Sequence, residues 1–428
     1  MNGREMLKAP HFFYELKDNV YKSSLNIMAG PFKKLKTLLV RRALKYRAYI
    51  NKAPNFKDIL IEITSPGYFK SKISQLCNGL RLNLWIIIGD EISSRQRLVI
   101  MYAGHELGKN YLIKLAFSSS YSENYIGKKW LWKIPKIAKK SNHKCSLMVI
   151  EVFNSFRILF KSMKCFYIPF WIYGETDISV DNSLFSKSES LKSDIRRIKR
   201  NKYHFKLTDE PSQLHNFYYN MYTPYITKVH GNRSDVWSYD NVKRELRKHG
   251  ELLLIKKGKD YIAGILLRRK KNNRAKLSLI GVKDGNFDYV RDGVIGALVY
   301  FSVSYLAEKG FTMFEHGGSR PFLKDGVLQY KKKWKQKICG RAKSGFLIKI
   351  RSKTNGAKGF FLNNPFIYED KTELSGAIFV ANDHPFFRED FVKTYKDYHI
   401  EGLSKLEIYQ FEEAGSRMWS IIQSSLTE

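Results

Sequence analysis

The sequence predicts an α/β (α+β) protein of two domains, each a mixed, mostly antiparallel sheet flanked by helices. Three observations predict it. Short apolar runs bounded by Gly, Pro, Asn and Ser recur through residues 51–180 and 251–350, as half-buried strands do. Between them lie stretches with apolar residues at i, i+4 and i+7, the spacing of an amphipathic helix. The 428 residues allow two or three domains at roughly 150 residues each. A content of 43% apolar and 14% aromatic residues supplies the cores that a disordered chain lacks.

Residues 1–50 read as a basic N-terminal extension with a helix after Pro31. Leu35, Leu38, Leu39 and Leu44 are separated by Lys34, Lys36, Arg41, Arg42, Lys45 and Arg47, a pattern that rests on an anionic leaflet or covers another domain. Residues 51–180 form the first domain. Its strands are expected at Asp58–Thr64, Leu82–Ile88, Leu98–Tyr102, Tyr111–Phe117, Ser146–Phe153, Phe156–Phe160 and Cys165–Tyr173, with a helix at Tyr68–Asn78. A tract rich in Ser and Tyr (Ser118–Tyr125) and a basic loop with Trp130 and Trp132 interrupt them. Gly174–Ser190 is polar and aperiodic, and is expected to connect the domains.

Residues 185–350 form the second domain. Leu191, Ile195 and Ile198 make one apolar helix face opposite Arg196, Arg197, Lys199 and Arg200. A strand at Tyr203–Leu207 and helices at Leu214–Tyr222 and Ser238–Lys248 follow. Three antiparallel strands come next, at Glu251–Lys256, Tyr261–Arg268 and Ala275–Val282, joined by turns at Gly258 and Asn272-Asn273. A helix at Gly293–Lys309 and strands at Phe311–Glu315 and Gly345–Ile350 complete the domain. Residues 351–428 are expected as a C-terminal helical tail, with helices at Phe386–Tyr395, Ser404–Phe411 and Glu412–Gln423 and a short apolar run at Ala377–Val380.

A net charge of +35 says little about fold and much about partners: RNA, phosphate-rich molecules and anionic membrane surfaces all fit. Four cysteines without CxxC or zinc-ligand spacing read as free thiols of a reducing compartment, with no metal site. The first 25 residues carry no continuous apolar core, and no uncharged apolar run reaches about 18 residues. A cytoplasmic protein without a transmembrane segment is expected, able to touch the inner membrane face. No G-x-S-x-G elbow, Walker A loop, H-E-x-x-H or EF-hand pattern is present, which removes those chemistries.

The most informative stretch is Gly317-Gly-Ser-Arg-Pro-Phe-Leu-Lys-Asp-Gly-Val-Leu-Gln-Tyr-Lys-Lys-Lys-Trp334. A glycine pair releases a strand into a turn, Arg320 follows, and Asp325-Gly326 opens a basic helix bearing Tyr330 and Trp334. Ligands of α/β proteins gather beyond the carboxyl ends of strands, which is where this segment falls. It resembles the turn and helix near the end of the catalytic domain in the Fem-type and CelD-like branch of the GNAT acyltransferase superfamily. Ser190–Arg200, Phe217–Tyr225 and His230-Gly231 resemble the basic helix, aromatic helix and polar loop of the same branch. The order helix, helix, three antiparallel strands, helix, strand, read from periodicity, is the order that branch would have.

The resemblance implies transfer of an acyl or aminoacyl group to an amine of a cell-envelope or polysaccharide precursor. The donor would be acyl-CoA or aminoacyl-tRNA, with no permanently bound cofactor. Enzymes of the superfamily seat the coenzyme A pyrophosphate at a helix N-terminus. Arg291, Gly293 and Gly296 stand at the corresponding place, with a spacing that departs from the usual turn. Glu315 or His316 would be the base, or line the cleft; Glu315 could instead be an ion-pair partner. Arg320 would clamp phosphate or carboxylate, or bridge to Asp325. Tyr330 would protonate the leaving group, or only pack its ring, while Lys331 and Lys333 would attract phosphate. Arg196, Arg197 and Arg200 would meet phosphate, and Tyr225 and His230 would border the acceptor loop. A protein that binds RNA or anionic membrane on a decayed scaffold is the alternative from a different class, with Tyr218, Tyr219, Tyr222 and Tyr225 stacking bases or forming a core face.

Overall fold

The apolar runs gather into three sheets in a computed structural model that describes residues 80–140, 145–179, 189–231, 236–381, 388–412 and 419–423. The expected N-terminal helix, the strand at Asp58–Thr64 and the helix at Tyr68–Asn78 lie outside the described residues. Contacts divide the described residues into two compact units, one made of those up to Tyr167 with Lys343–Asn363 and one of those in Ile168–Ala342 and from Asn364 onward. The boundaries differ from those read off the sequence: residues 343–363 belong with the first unit, and the C-terminal segment with the second.

In the first unit, β1 (Arg81–Glu91) and β2 (Arg97–Gly104) form an antiparallel hairpin. Helix α1 (Glu106–Ala116) occupies the place where the strand Tyr111–Phe117 was expected. Its buried residues, Lys109, Leu112, Ile113 and Ala116, fall at i, i+3, i+4 and i+7, so helical spacing overrides the short apolar run. The Ser- and Tyr-rich tract is the long strand β3 (Phe117–Trp130), which pairs with β1. After α2 (Ile134–Lys140), β4 (Leu147–Phe153) lies parallel to β2. Phe156–Phe160, expected extended, lies in a 3-10 helix. Cys165–Tyr173 breaks in two: β5 (Phe166–Pro169) is the edge of this sheet, and only the residues after it enter the second sheet. The sheet order is β3-β1-β2-β4, then Ser344–Ile350, then β5.

The second unit is built on a seven-stranded sheet. Its first strand in sequence, β6 (Ile172–Asp177), takes residues expected in the interdomain connection. Helix α3 (Glu189–Arg200), β7 (Tyr203–Thr208) and a helical run follow. That run comprises α4 (Pro211–Asn216), a π-helical turn (Phe217–Tyr222) and α5 (Thr223–His230). Helix α6 (Tyr239–His249), capped by Ser238, leads into β8 (Gly250–Lys257), β9 (Asp260–Lys270) and β10 (Arg274–Val282). Short α7 (Phe287–Arg291) and buried α8 (Val294–Glu308) return the chain to β11 (Met313–Ser319), parallel to β10. Helix α9 (Gly326–Lys333) and β12 (Lys337–Arg341) follow, and the strand order is β12-β6-β11-β10-β9-β8-β7. Leu253, Ile265, Ala275 and Phe314 pack one face on Ala297, Leu298 and Leu306 of α8. Leu252, Leu254, Leu266 and Leu279 pack the other on Phe217, Met221 and Val242.

Strand β13 (Ser344–Ile350) pairs with β4, and α10 (Asn355–Asn363) closes the first unit. The expected helical tail is instead a four-stranded sheet of β14 (Phe366–Asp370), β15 (Glu373–Val380), β16 (Lys405–Phe411) and β17 (Trp419–Gln423), in that order. Helix α11 (Arg388–Tyr398) crosses over between the parallel pair β15 and β16. Leu406 and Ile408 fall two apart and pack into one cluster with Leu374 and Ile378, as residues on one face of paired strands do. No helix among the described residues is long and apolar enough to cross a membrane.

Candidate functional site

Strands β10 and β11 run together for three residue pairs only, Arg274 with Met313, Ala275 with Phe314 and Lys276 with Glu315. Both strands then leave the shared line. The register of β10 slips against β9 between Leu277 and Leu279, and that of β11 slips against β6 between Glu315 and Gly318. Gly317 sits in this break at φ 75°, a left-handed conformation that a side chain resists. The result is a fork at the carboxyl ends of two parallel neighbours, the position where open α/β sheets receive ligands.

The chain runs from the carboxyl end of β10 through α7 to the start of α8. It opens after Gly293, at φ 91°, and no side chain caps it. Helix α3 lies across this end. A Cβ on Gly293 would approach the Arg197 side chain to 3.1 Å, and one on Gly296 would approach the Asp194 carboxyl to 3.0 Å. Asp194 accepts a 2.5 Å hydrogen bond from Lys333 Nζ, which lies 4.2 Å from the centre of the Tyr330 ring. The Tyr330 hydroxyl is buried without a hydrogen-bond acceptor. Burial raises its pKa far above the ordinary value, the Trp334 indole partly offsets this, and the charges of Asp194 and Tyr225 add to the rise. Tyr330 therefore rests in its protonated form at neutral pH.

The structure thus brings together Tyr330, Lys333, Tyr225, Arg197, Gly293 and Gly296, and adds Asp194, which the sequence reading did not single out. A signal was present: Leu191, Asp194 and Ile198 form the buried stripe of α3, so an acid occupies an apolar position. A buried carboxylate is costly unless paired, and Lys333 is its partner.

Other expectations need correction. Glu315 and His316 are neighbours on a strand, so they point to opposite faces. Burial alone would raise the Glu315 pKa, but hydrogen bonds and charge from Lys270, with Arg274 behind it, hold it below the carboxylate range. Lys270 Nζ lies 2.7 and 2.8 Å from its two oxygens, so Glu315 is an ion-pair partner and not a base. His316 is 3% exposed. Its Nε2 is 2.7 Å from Thr176 Oγ1, and that hydroxyl donates to the Trp334 carbonyl at 2.8 Å. The hydroxyl has one proton, so His316 must be the donor to it through Nε2–H. Burial and the Lys331 charge push its pKa down to about 3, so His316 is a neutral core residue and not a proton shuttle.

Lys331 is buried as well. It donates to Gly317 O at 3.2 Å, Gly318 O at 2.8 Å and Ser319 Oγ at 3.0 Å, so it braces the turn instead of meeting phosphate. Arg320 lies 3.9 Å from the centre of the Trp171 ring and donates to Phe170 O at 3.3 Å. Its expected partner Asp325 caps α9 by accepting from Leu328 N at 2.9 Å. Arg291 pairs with Asp288 on the exposed face of α7. Arg196 and Arg200 point to solvent from α3, and His230 ends α5. Exposed Trp171, just before β6, and Tyr173, on it, lie beside Gly318 and are a surface that the sequence reading passed over.

Comparisons with known proteins add the following. No family model matches the chain, and no curated protein matches it in sequence. Among solved structures it is similar to FemX, at 13% identity and TM-score 0.33, over 62% of this chain and 83% of that one. It is similar to L-PGS from Bacillus licheniformis at 11% identity and TM-score 0.31, over 65% and 84% of the two chains. A GCN5-related N-acetyltransferase from Sphaerobacter thermophilus gives 8% identity and TM-score 0.30, over 62% and 76%. Similarity of this degree leaves the chemistry to the chain's own residues. The second unit is a mixed α/β fold, and its run of helices, three antiparallel strands, helix and parallel strand is the order that the sequence reading expected.

Proposed function

We propose that the second unit transfers an aminoacyl group from charged tRNA to an amine of a cell-envelope or polysaccharide precursor, at the fork between β10 and β11. One observation carries the reading: a buried tyrosine hydroxyl without an acceptor, Tyr330, sits on the helix whose Lys331 braces the turn where two parallel strands part. Attack by the amine forms the new C–N bond and breaks the ester C–O bond. Tyr330 gives its proton to the departing ribose oxygen, and the proton lost by the amine restores the phenol. A donor that stays protonated through the working pH range suits that role.

The choice of tRNA over acyl-CoA rests on Asp194. A pyrophosphate seated on the first turn of α8 would meet the Asp194 carboxylate there and would have to compete with it for Lys333. A nucleic-acid donor needs no such seat, and a charge of +35 attracts its backbone through counterion release. The same charge suits an acceptor carried on an anionic membrane surface.

The test incubates the full chain with radiolabelled aminoacyl-tRNA or acetyl-CoA, with hydroxylamine as a small acceptor. Acceptor-dependent loss of aminoacyl-tRNA is expected, with acetyl-CoA untouched. Tyr330→Phe should lower the rate at least tenfold, in line with loss of one positioned proton donor, and leave the Kd for charged tRNA unchanged. Tight, salt-sensitive binding of charged tRNA that is never consumed with any amine would instead favour RNA binding on a decayed scaffold.

A further inference from the structure

The first unit holds a second fork of parallel strands with a different set of groups. Strands β2 and β4 pair from Ile100 with Leu147 to Ala103 with Ile150. The next residues at their carboxyl ends are Gly104 and Glu151, and His105 follows as the residue that starts α1. Glu151 is 6% exposed, yet it carries a carboxylate. Tyr102 from β2 donates its hydroxyl to Oε1. The His105 backbone N–H reaches Oε2 at 2.9 Å, and His105 Nδ1 lies 2.6 Å from the same oxygen. The His105 side chain is 74% exposed. With Nδ1–H committed to the carboxylate, the lone pair of Nε2 faces outward.

The local sequence is shaped around this pair. A Cβ at either Gly104 or Gly108 would collide with the Glu151 carboxyl and the Tyr102 hydroxyl, so two glycines make the room that the acid occupies. One turn beyond His105, Lys109 is buried against Trp85 and ion-paired with Glu123 of β3. A buried carboxylate adds little stability that apolar packing could not supply. Holding one nitrogen of an exposed imidazole does need it.

We propose that His105, oriented by Glu151, is a general base of the first unit that activates water against activated acyl esters. Nε2 takes a proton from water as the water oxygen bonds to the acyl carbon. The bond from that carbon to the leaving oxygen then breaks, and the proton passes from Nε2 to the leaving alcohol. His105 is the catalytic residue and Glu151 a positioning residue, as a buried carboxylate positions imidazole in hydrolytic triads. The charged and titratable groups around the imidazole are Glu151 from β4, Tyr102 from β2, and the Lys109–Glu123 pair joining α1 to β3. Tyr102 stays protonated, because burial and Glu151 raise its pKa far above its usual value.

The experiment follows p-nitrophenyl acetate hydrolysis by the full chain across pH 5 to 9, roughly centred on the imidazole range. Wild type should show a rate that rises as one group loses its proton, with a midpoint above the ordinary imidazole value. His105→Gln should reduce the rate at least tenfold. His204→Gln, an exposed histidine on β7 with no assigned role, should not change it. Glu151→Gln should lower both the rate and the midpoint. Because that variant can misfold, carbethoxylation of wild-type His105 by diethyl pyrocarbonate, read by mass spectrometry, supplies the same midpoint against His204. Equal hydrolysis by His105→Gln and wild type, or a His105 midpoint no higher than that of His204, would overturn the proposal. Charged tRNA takes no part in this assay, so its outcome is separate from that of the transferase reading.

Discussion

His316 illustrates how one residue can read as catalytic and prove structural. In sequence it is a histidine at a strand end beside a glycine pair; in the fold it is buried and donates to Thr176, whose hydroxyl passes the chain on to the Trp334 carbonyl. Its titration should nevertheless be visible in stability. The native imidazole resists protonation down to about pH 3, whereas the unfolded chain takes a proton near pH 6.5. The unfolded state therefore binds more protons between these values, and stability must fall as pH drops through that window. The slope from this group is about 1.4 kcal/mol per pH unit. Urea unfolding of wild type and His316→Gln from pH 7 to 4 should show the steeper decline in wild type, and parallel curves would contradict the burial argument. Part of the correction was legible beforehand: adjacent strand residues cannot share a face, so Glu315 and His316 could never both line one cleft. Only the tertiary contacts reveal which of them is sealed and which is ion-paired.

Among the elements, the strand end at Gly317 has the most to lose from a small change. Alanine there keeps the sequence pattern but forces a Cβ into left-handed backbone, at a cost of roughly 1–2 kcal/mol. The Lys331 ammonium is fixed to the Gly317 and Gly318 carbonyls, so the strain has little room to relax. Gly317→Ala should lower the urea midpoint by a matching amount and slow transfer more than it weakens tRNA binding; an unchanged midpoint would show that the turn is slack. The meander β8–β10, helix α8 and their turns were legible because apolar spacing and glycine or asparagine punctuation agree there. Misreadings fell where a short apolar run serves either periodicity. Tyr111–Ala116 is helical because its buried face starts at Lys109, before the run begins, and continues through Leu112, Ile113 and Ala116. Lys405–Phe411 is extended because β15 offers it a parallel partner, which nothing nearby in sequence announces. For the proposed site, the turn and helix of the Gly317 to Trp334 stretch were legible as elements, while Asp194 lies more than a hundred residues upstream in a segment that reads as merely basic.

For the whole molecule, the charge of +35 makes a prediction that no single residue carries. Binding to tRNA should weaken linearly in log Kd against log salt, with a slope that counts the phosphates neutralised. If about six are contacted, affinity should drop by about three orders of magnitude between 50 and 200 mM salt. Filter binding with charged and uncharged tRNA measures this, and a flat salt response would remove nucleic acid as the partner. The path of the backbone has a further consequence, for biosynthesis. Strand β4 finds its neighbour β13 only about 190 residues later, after the ribosome has passed the entire seven-stranded sheet, a delay of roughly 10–40 s at ordinary elongation rates. Throughout that interval a nascent hydrophobic edge waits unpaired, which makes this protein a natural client for chaperones that guard chains still emerging from the exit tunnel.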